Sequence, residues 1–207
     1  MDNALSIIQG WIKSSTYKVV IIPRTGHEYD CNEVLGITEH SVLGSIINSV
    51  GGISIYNNLI RHYGGENKYS LSIRLVNQIK NGMPSLIKGQ LIIADDIYGG
   101  LFSINSNPHQ GKIGNIMYLP PDSYVWESLD IGHSAFVKWS LTGDLDLFYK
   151  TIREKISTSG IICNFMETFS FSPPLWVKAN AHKCSKIQST NSIQIRGQMI
   201  SQLYDHE

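Results

Sequence analysis

The sequence is poor in charge, in cysteine and in long apolar runs. Charged residues make up 16 %, split evenly between 17 basic and 17 acidic side chains, so the formal net charge is zero. That balance excludes a dedicated nucleic-acid binder, which needs a basic excess to displace counterions from phosphates. Three cysteines, Cys31, Cys163 and Cys184, are too few and too scattered for a disulfide framework. Their odd number fits a reducing compartment. No apolar run approaches the ~20 residues that span a bilayer. Asp2 stands where an export signal carries a basic region, and Lys13 soon interrupts the apolar pattern, so the expected location is the cytoplasm. No internal repeat or low-complexity tract is visible. What is present is 207 residues, 42 % hydrophobic and 10 % aromatic. This excludes intrinsic disorder. A chain of this length buries about 70 % of its unfolded surface, enough for one domain with a true core.

Local patterns predict a mixture of helices and strands. Leu5, Ile8 and Ile12 share a helical face over residues 2–14, with Asp2 as N-cap. Lys18–Ile22 is a β-branched run stopped by Pro23. Residues 28–36 read as a short helix closed by Gly36. Ser41 caps a helix to about Ser49, and Gly51-Gly52 ends it. Ile53–Tyr56 alternates as a strand, Asn57-Asn58 turns, and Leu59–Tyr63 is extended. Residues 70–80 have helical spacing. Strands follow at Leu91–Ala94, Leu101–Ile104 and Asn115–Leu119, with another inside Asp122–Glu127. Their connections are too short for parallel crossovers, so they form an antiparallel meander. Ser134 caps a helix ending at Gly143, and Asp144 caps the next. After Arg153 the signal weakens, although Phe169–Ser172 is extended. Residues 193–204 read as a strand followed by a terminal helix. Residues 1–180 are read as one α+β domain, with 181–207 as a C-terminal extension.

Few residues suggest chemistry. Paired carboxylates such as Asp95-Asp96 can bind a metal or divide acid and base roles. Yet neighbours in a strand point to opposite faces, and Asp before Tyr98-Gly99-Gly100 is also a turn former. His133, just before a helix, has the chemistry of a base but no Ser, Cys or Asp at a diagnostic spacing. His27, Cys31, His182 and Cys184 make a conceivable zinc set, but no Cys-x-x-Cys knuckle is present. Cys163 reads as an ordinary buried thiol. The aromatics Trp126, Trp139, Phe148, Tyr149 and Trp176 fit a core, with Trp126 the best candidate for exposure. Charge is unevenly placed: residues 91–147 carry a balance of −5 and residues 168–204 one of +4. An acidic face can steer a basic partner, and the two stretches also allow self-association.

Three stretches carry a family resemblance. They are Leu43-Gly44-Ser45-Ile46 through Gly51-Gly52-Ile53; Leu91 through Asn105 with Ala94-Asp95-Asp96 and Gly99-Gly100-Leu101-Phe102; and Tyr118 through Glu127, continued by Phe136, Trp139, Gly143-Asp144-Leu145 and Phe148-Tyr149. Phe171-Ser172-Pro173-Pro174-Leu175-Trp176 fits as well. Together they resemble the bacterial domain-of-unknown-function family 2625 over most of residues 1–180. More distantly, the pattern is similar to the SUKH (SMI/KNR-like) superfamily, whose α+β domains include immunity proteins that block bacterial toxins. Here the residues behind the likeness are the strand ending near Gly-Gly, a Phe-x-Ile-Asn strand, a strand ending in Tyr and a Ser-x-x-Phe helix.

The expectation is therefore an α+β, SUKH-like protein-binding module without catalysis, cofactor or metal. Its partner would be a basic protein such as a toxin domain, met by Asp95, Asp96, Tyr98, Trp126, Glu127 and Asp130. Neither nucleic acid nor a membrane is expected as partner. The alternatives are a hydrolase using Asp95 or Asp96 with His133, and a protein built around the His27, Cys31, His182 and Cys184 zinc set.

Overall fold

A computed structural model describes residues 4–26, 35–69, 71–79, 86–158 and 160–204. Seven strands form one antiparallel sheet in sequence order. They are β1 (Val19–Ile22), β2 (Gly52–Ile55), β3 (Ile60–Tyr63), β4 (Gln90–Asp96), β5 (Leu101–Asn105), β6 (Asn115–Leu119) and β7 (Glu127–Gly132). A second antiparallel pair joins β8 (Glu167–Ser172) to β9 (Lys183–Gln188). The helices are α1 (Ala4–Ser14), α2 (Val42–Ser49), α3 (Ile73–Val76), α4 (His133–Thr142), α5 (Leu145–Phe148), α6 (Lys150–Lys155) and α7 (Ser189–Tyr204). The fold class is α+β, and the expected meander extends over all seven strands.

Strands β2 and β3 are wholly buried, and β4 to β6 nearly so. Their sequences lack clean alternation because both faces of the sheet are covered. On one face α1, α2 and α4 pack together. Phe136 of α4 meets Phe102 at 4.8 Å and His62 at 5.1 Å between ring centroids. The opposite face receives the β8–β9 pair. There the Phe169 N–H donates to the Ile97 carbonyl at 2.8 Å, and the Thr168 hydroxyl donates to the same oxygen at 2.7 Å. Helix α7 packs on both strands of that pair and on α3.

Several boundaries match their physical signals. Ser41 accepts from the Gly44 N–H at 2.9 Å and Asp144 from the Leu147 N–H at 2.9 Å, as N-caps do. Asn57 and Asn58 turn in the left-handed region, at φ 57° and 67°. Others shift. The strand expected within 122–127 is displaced to β7, because Ser123 N–H donates to the Pro120 carbonyl and Ser123 Oγ accepts from Val125 N–H, closing a turn first. Helix α4 starts one residue before Ser134, on Gly132 and without a side-chain cap. Over residues 70–80 the described helix is the single turn α3. The strand expected after Ile193 is helical, and the strand lies earlier, as β9. Asp2 and residues 28–34 of the expected second helix lie outside the described residues. Among the described residues no helix is long and apolar enough to cross a membrane.

Candidate functional site

Asp95 and Asp96 point to opposite sides of the sheet. Asp95 lies directly across from Arg61 in the β3–β4 register, and both are buried. Arg61 Nε donates to Asp95 Oδ1 at 2.8 Å and Nη2 to Oδ2, a bidentate fork. Nη1 donates to the carbonyls of Phe165 and Glu167, tying the pair to the start of β8. Burial pushes the Asp95 carboxyl up, opposed by the guanidinium.

Asp96 faces the helical side and is fully buried. Its Oδ1 accepts from the N–H groups of Tyr98 and Gly100, both at 2.9 Å. That is an Asx turn, which shapes the β4–β5 connection. Its Oδ2 accepts from the Tyr118 hydroxyl at 2.8 Å and the Tyr149 hydroxyl at 3.3 Å. A Cβ on Gly100 would stand 2.3 Å from that oxygen, so only glycine lets the turn close over the carboxylate. Burial raises the Asp96 carboxyl to about 6, although Tyr118 and two backbone N–H groups favour its charged form.

His62 lies beneath α4. Its Nε2 is 2.7 Å from Ser140 Oγ, and Ser140 Oγ itself donates to the Val137 carbonyl at 2.9 Å. The serine proton is thus engaged, so His62 must donate through Nε2. The imidazole cannot act as base toward this serine in that arrangement. Burial, with His133 nearby, lowers the His62 imidazole to about 3, and burial lowers that of His133 to about 4.

These placements correct the expected binding surface. Asp95, Asp96, Tyr98 and Trp126 are buried, while Glu127 and Asp130 are exposed. The two aspartates are engaged by a guanidinium, two phenols and backbone amides, so their side chains present no surface to a protein. The hydrolase alternative needs Asp95 or Asp96 to converge with His133 in a concavity. Among the described residues, none of the three lines any of four clefts of about 260 to 580 Å³. Of the zinc set, His27 and Cys31 lie outside the described residues. His182 Nδ1 is 2.7 Å from the Pro173 carbonyl, and among the described residues no group of three metal-ligating side chains forms.

The charge asymmetry shrinks in the same way. Arg153 engages Asp146, and Lys155 reaches Asp122 at 3.0 Å. Lys186 reaches Glu167 at 3.0 Å. Glu127 and Asp130 keep no ion pair among the described residues. They sit on β7, which closes one edge of the seven-stranded sheet and, among the described residues, pairs with β6 alone. Val125, just before β7, is 62 % exposed. Beside the strand runs a groove of about 260 Å³, lined by Asp122, Glu127, Leu129, Phe148 and Ile152 among others.

A second cleft, of about 290 Å³, lies between α7, the β8–β9 pair and the segment Pro174–Trp176. Arg196 lines it and is only 4 % exposed. Its Nη2 donates to the carbonyls of Pro120 at 2.7 Å and Ser123 at 2.9 Å. Its Nε and Nη1 have no hydrogen-bond partner among the described residues. The guanidinium carbon stands 4.8 Å from the Trp176 ring centroid. Burial lowers this group to about 10, so it stays cationic at neutral pH. In the sequence Arg196 enters only as one of the four cations behind the +4 balance of residues 168–204. Its spacing carried the missed signal, because Ile193, Arg196 and Ile200 share one helical face and all three are buried.

The family described as Protein of unknown function DUF2625 matches residues 1–197. The chain belongs to the DUF2625 family. It is similar to the putative uncharacterized protein YbfG of Escherichia coli, with 31 % identity over 197 residues, 93 % of this chain and 89 % of the relative. An uncharacterized protein of Haemophilus influenzae is 32 % identical over 112 residues, 53 % of this chain and 49 % of that protein. The DUF2625 match runs through β9 and into α7, so the β7 edge and Arg196 itself fall within it.

Proposed function

We propose that this DUF2625 chain is a non-enzymatic protein-binding module that takes up a basic partner strand along the free edge of β7. The observation that carries the reading is Glu127 and Asp130, two exposed acids that, among the described residues, have no counter-ion and stand on a strand paired on one side. An open strand edge offers unpaired N–H and C=O groups to a partner chain. Exposed Val125 and the apolar groove beside β7 supply burial, and the acids supply orientation and a faster encounter. The distant SUKH-like pattern makes a bacterial toxin domain the class of partner and immunity the role. A cytoplasmic location goes with that role.

The test uses a toxin-like gene adjacent to this one in the native host. Its product is expected to arrest growth when produced alone. Wild-type chain should restore growth and bind the toxin in a salt-sensitive manner. A Glu127→Lys, Asp130→Lys double variant should fold normally yet fail at both. Equal rescue by the variant, or no growth arrest by any neighbouring product, removes the proposal.

A further inference from the structure

We infer that the cleft beneath α7 binds a monoanionic aromatic carboxylate, with Arg196 receiving the carboxylate and Trp176, Phe169 and Phe171 enclosing the ring. The inference is independent of the β7 edge. Its starting point is a charge out of balance. A buried cation is normally paired, since an uncompensated charge in an apolar interior is costly. Arg196 is almost fully buried, yet it forms no ion pair among the described residues, and two of its three nitrogens lack partners. The remaining nitrogen, Nη2, is held by two backbone carbonyls, and the Trp176 ring packs against the guanidinium. The group is thus fixed in place with donors unspent, which is the preorganisation a ligand site needs.

Charge count and size narrow the ligand. Among the described residues no acid and no second cation lines the cleft, and Arg196 is the one charged residue there. Asp96 and Asp122 already act on Arg196 from outside the cleft, so one further negative charge suits it, whereas a phosphate dianion would leave an excess negative charge among aromatic walls. The cleft volume of about 290 Å³ stands at the small end of ligand pockets, which start near ~300 Å³. That suits a one- or two-ring acid and excludes a nucleotide. Tyr98, Phe169, Phe171 and Trp176 bring faces and edges for ring contacts.

Titration calorimetry on the full chain tests this with phenylacetate and indole-3-acetate, against phenylacetamide and phenyl phosphate. The carboxylates should bind at least about tenfold more tightly than the amide, and more tightly than the phosphate. Arg196→Met should remove the preference for acid over amide. Its thermal midpoint should hold or rise, because a buried unpaired cation has gone. Should that variant fail to fold, Ile195→Glu decides. Ile195 lines the cleft and is 47 % exposed, so the fold tolerates a carboxylate there. The new acid should compete for Arg196 and abolish phenylacetate binding. Equal affinity for acid and amide, preference for the phosphate, no binding by any probe, or unchanged binding by Ile195→Glu each overturns the assignment.

Discussion

At the scale of single residues, strand geometry separates Asp95 from Asp96 and gives them unlike chemistry. The first is matched by Arg61, the second by phenols and amides, and both are held by burial away from the ordinary carboxylate range. Buried groups then pull stability in opposite directions as pH falls, His62 and His133 one way and Asp96 the other. His62 is lowered from 6.5 to about 3 in the fold. Between those values the unfolded chain binds a proton that the native chain refuses, so stability declines as pH drops through this window. Asp96 is raised from 3.8 to about 6. Over that window the native chain holds a proton that the unfolded chain has lost, so this group adds stability as pH falls. Urea unfolding at several pH values from 4.5 to 6 separates the two. His62→Gln should flatten the acid decline by about one proton, roughly 1.4 kcal/mol per pH unit. Asp96→Asn should steepen it by a similar amount. Parallel slopes in wild type and both variants would contradict the burial of these groups.

At the scale of elements, most of what was legible came from short-range signals. Ser41 and Asp144 announced their helices because a cap is a local hydrogen bond. The β4, β5 and β6 strands announced themselves because β-branched and aromatic residues cluster between Gly, Pro and Asn. The opposed faces of Asp95-Asp96 followed from strand periodicity, and the turn role from an Asp standing before Tyr98-Gly99-Gly100. What escaped was set by tertiary partners. Trp126 looked exposed because it was read as part of a short alternating strand, whereas it lies just before the exposed β7 with its own ring buried. Arg61 drew no notice, since its partner is 34 positions away. Asn77 is a further case. Beyond His62 the described β3–β4 register ends, and β4 has an irregularity between Ile92 and Ala94. The Asn77 amide takes over as a surrogate strand: Oδ1 accepts from Ile92 N–H and Nδ2 donates to Ile92 C=O, both at 2.7 Å. It also donates to the Ile73 carbonyl at 2.9 Å, fastening α3 to the sheet. Asn77→Leu would leave buried peptide groups unsatisfied, at a cost of about 2–4 kcal/mol. Equilibrium unfolding should show that loss, and hydrogen exchange should show the Ile92 amide losing protection ahead of its β5-bonded neighbours. An unchanged exchange rate at Ile92 would mean that the amide is not needed to complete the strand.

At the scale of the whole molecule, sequence order is spatial order for seven strands, so most of the sheet is assembled from neighbours. The C-terminal stretch departs from that rule. Strand β9 pairs with β8 along all six residues of each, and α7 buries Ile193, Arg196 and Ile200. At Gly197 a Cβ would stand 2.6 Å from Leu86, so the glycine in mid-helix permits the close seat of α7 there. Sequence reading divided the chain at 180, where pattern strength fades. That division cuts β8 from its only strand partner among the described residues. A fragment of residues 1–180 puts the boundary to the test. It would strip cover from Phe169 and Tyr98, two of the aromatic side chains that line the cleft beneath α7. Uncovering two aromatic side chains at roughly 25 cal/mol per Å² of apolar surface, with the six-residue strand pairing lost as well, costs several kcal/mol. That is a large share of the ~5–15 kcal/mol by which a domain is stable. The fragment is therefore expected to be insoluble, or to unfold at a markedly lower urea concentration than the full chain. Unfolding of fragment and full chain at the same midpoint would instead establish residues 181–207 as a separable extension.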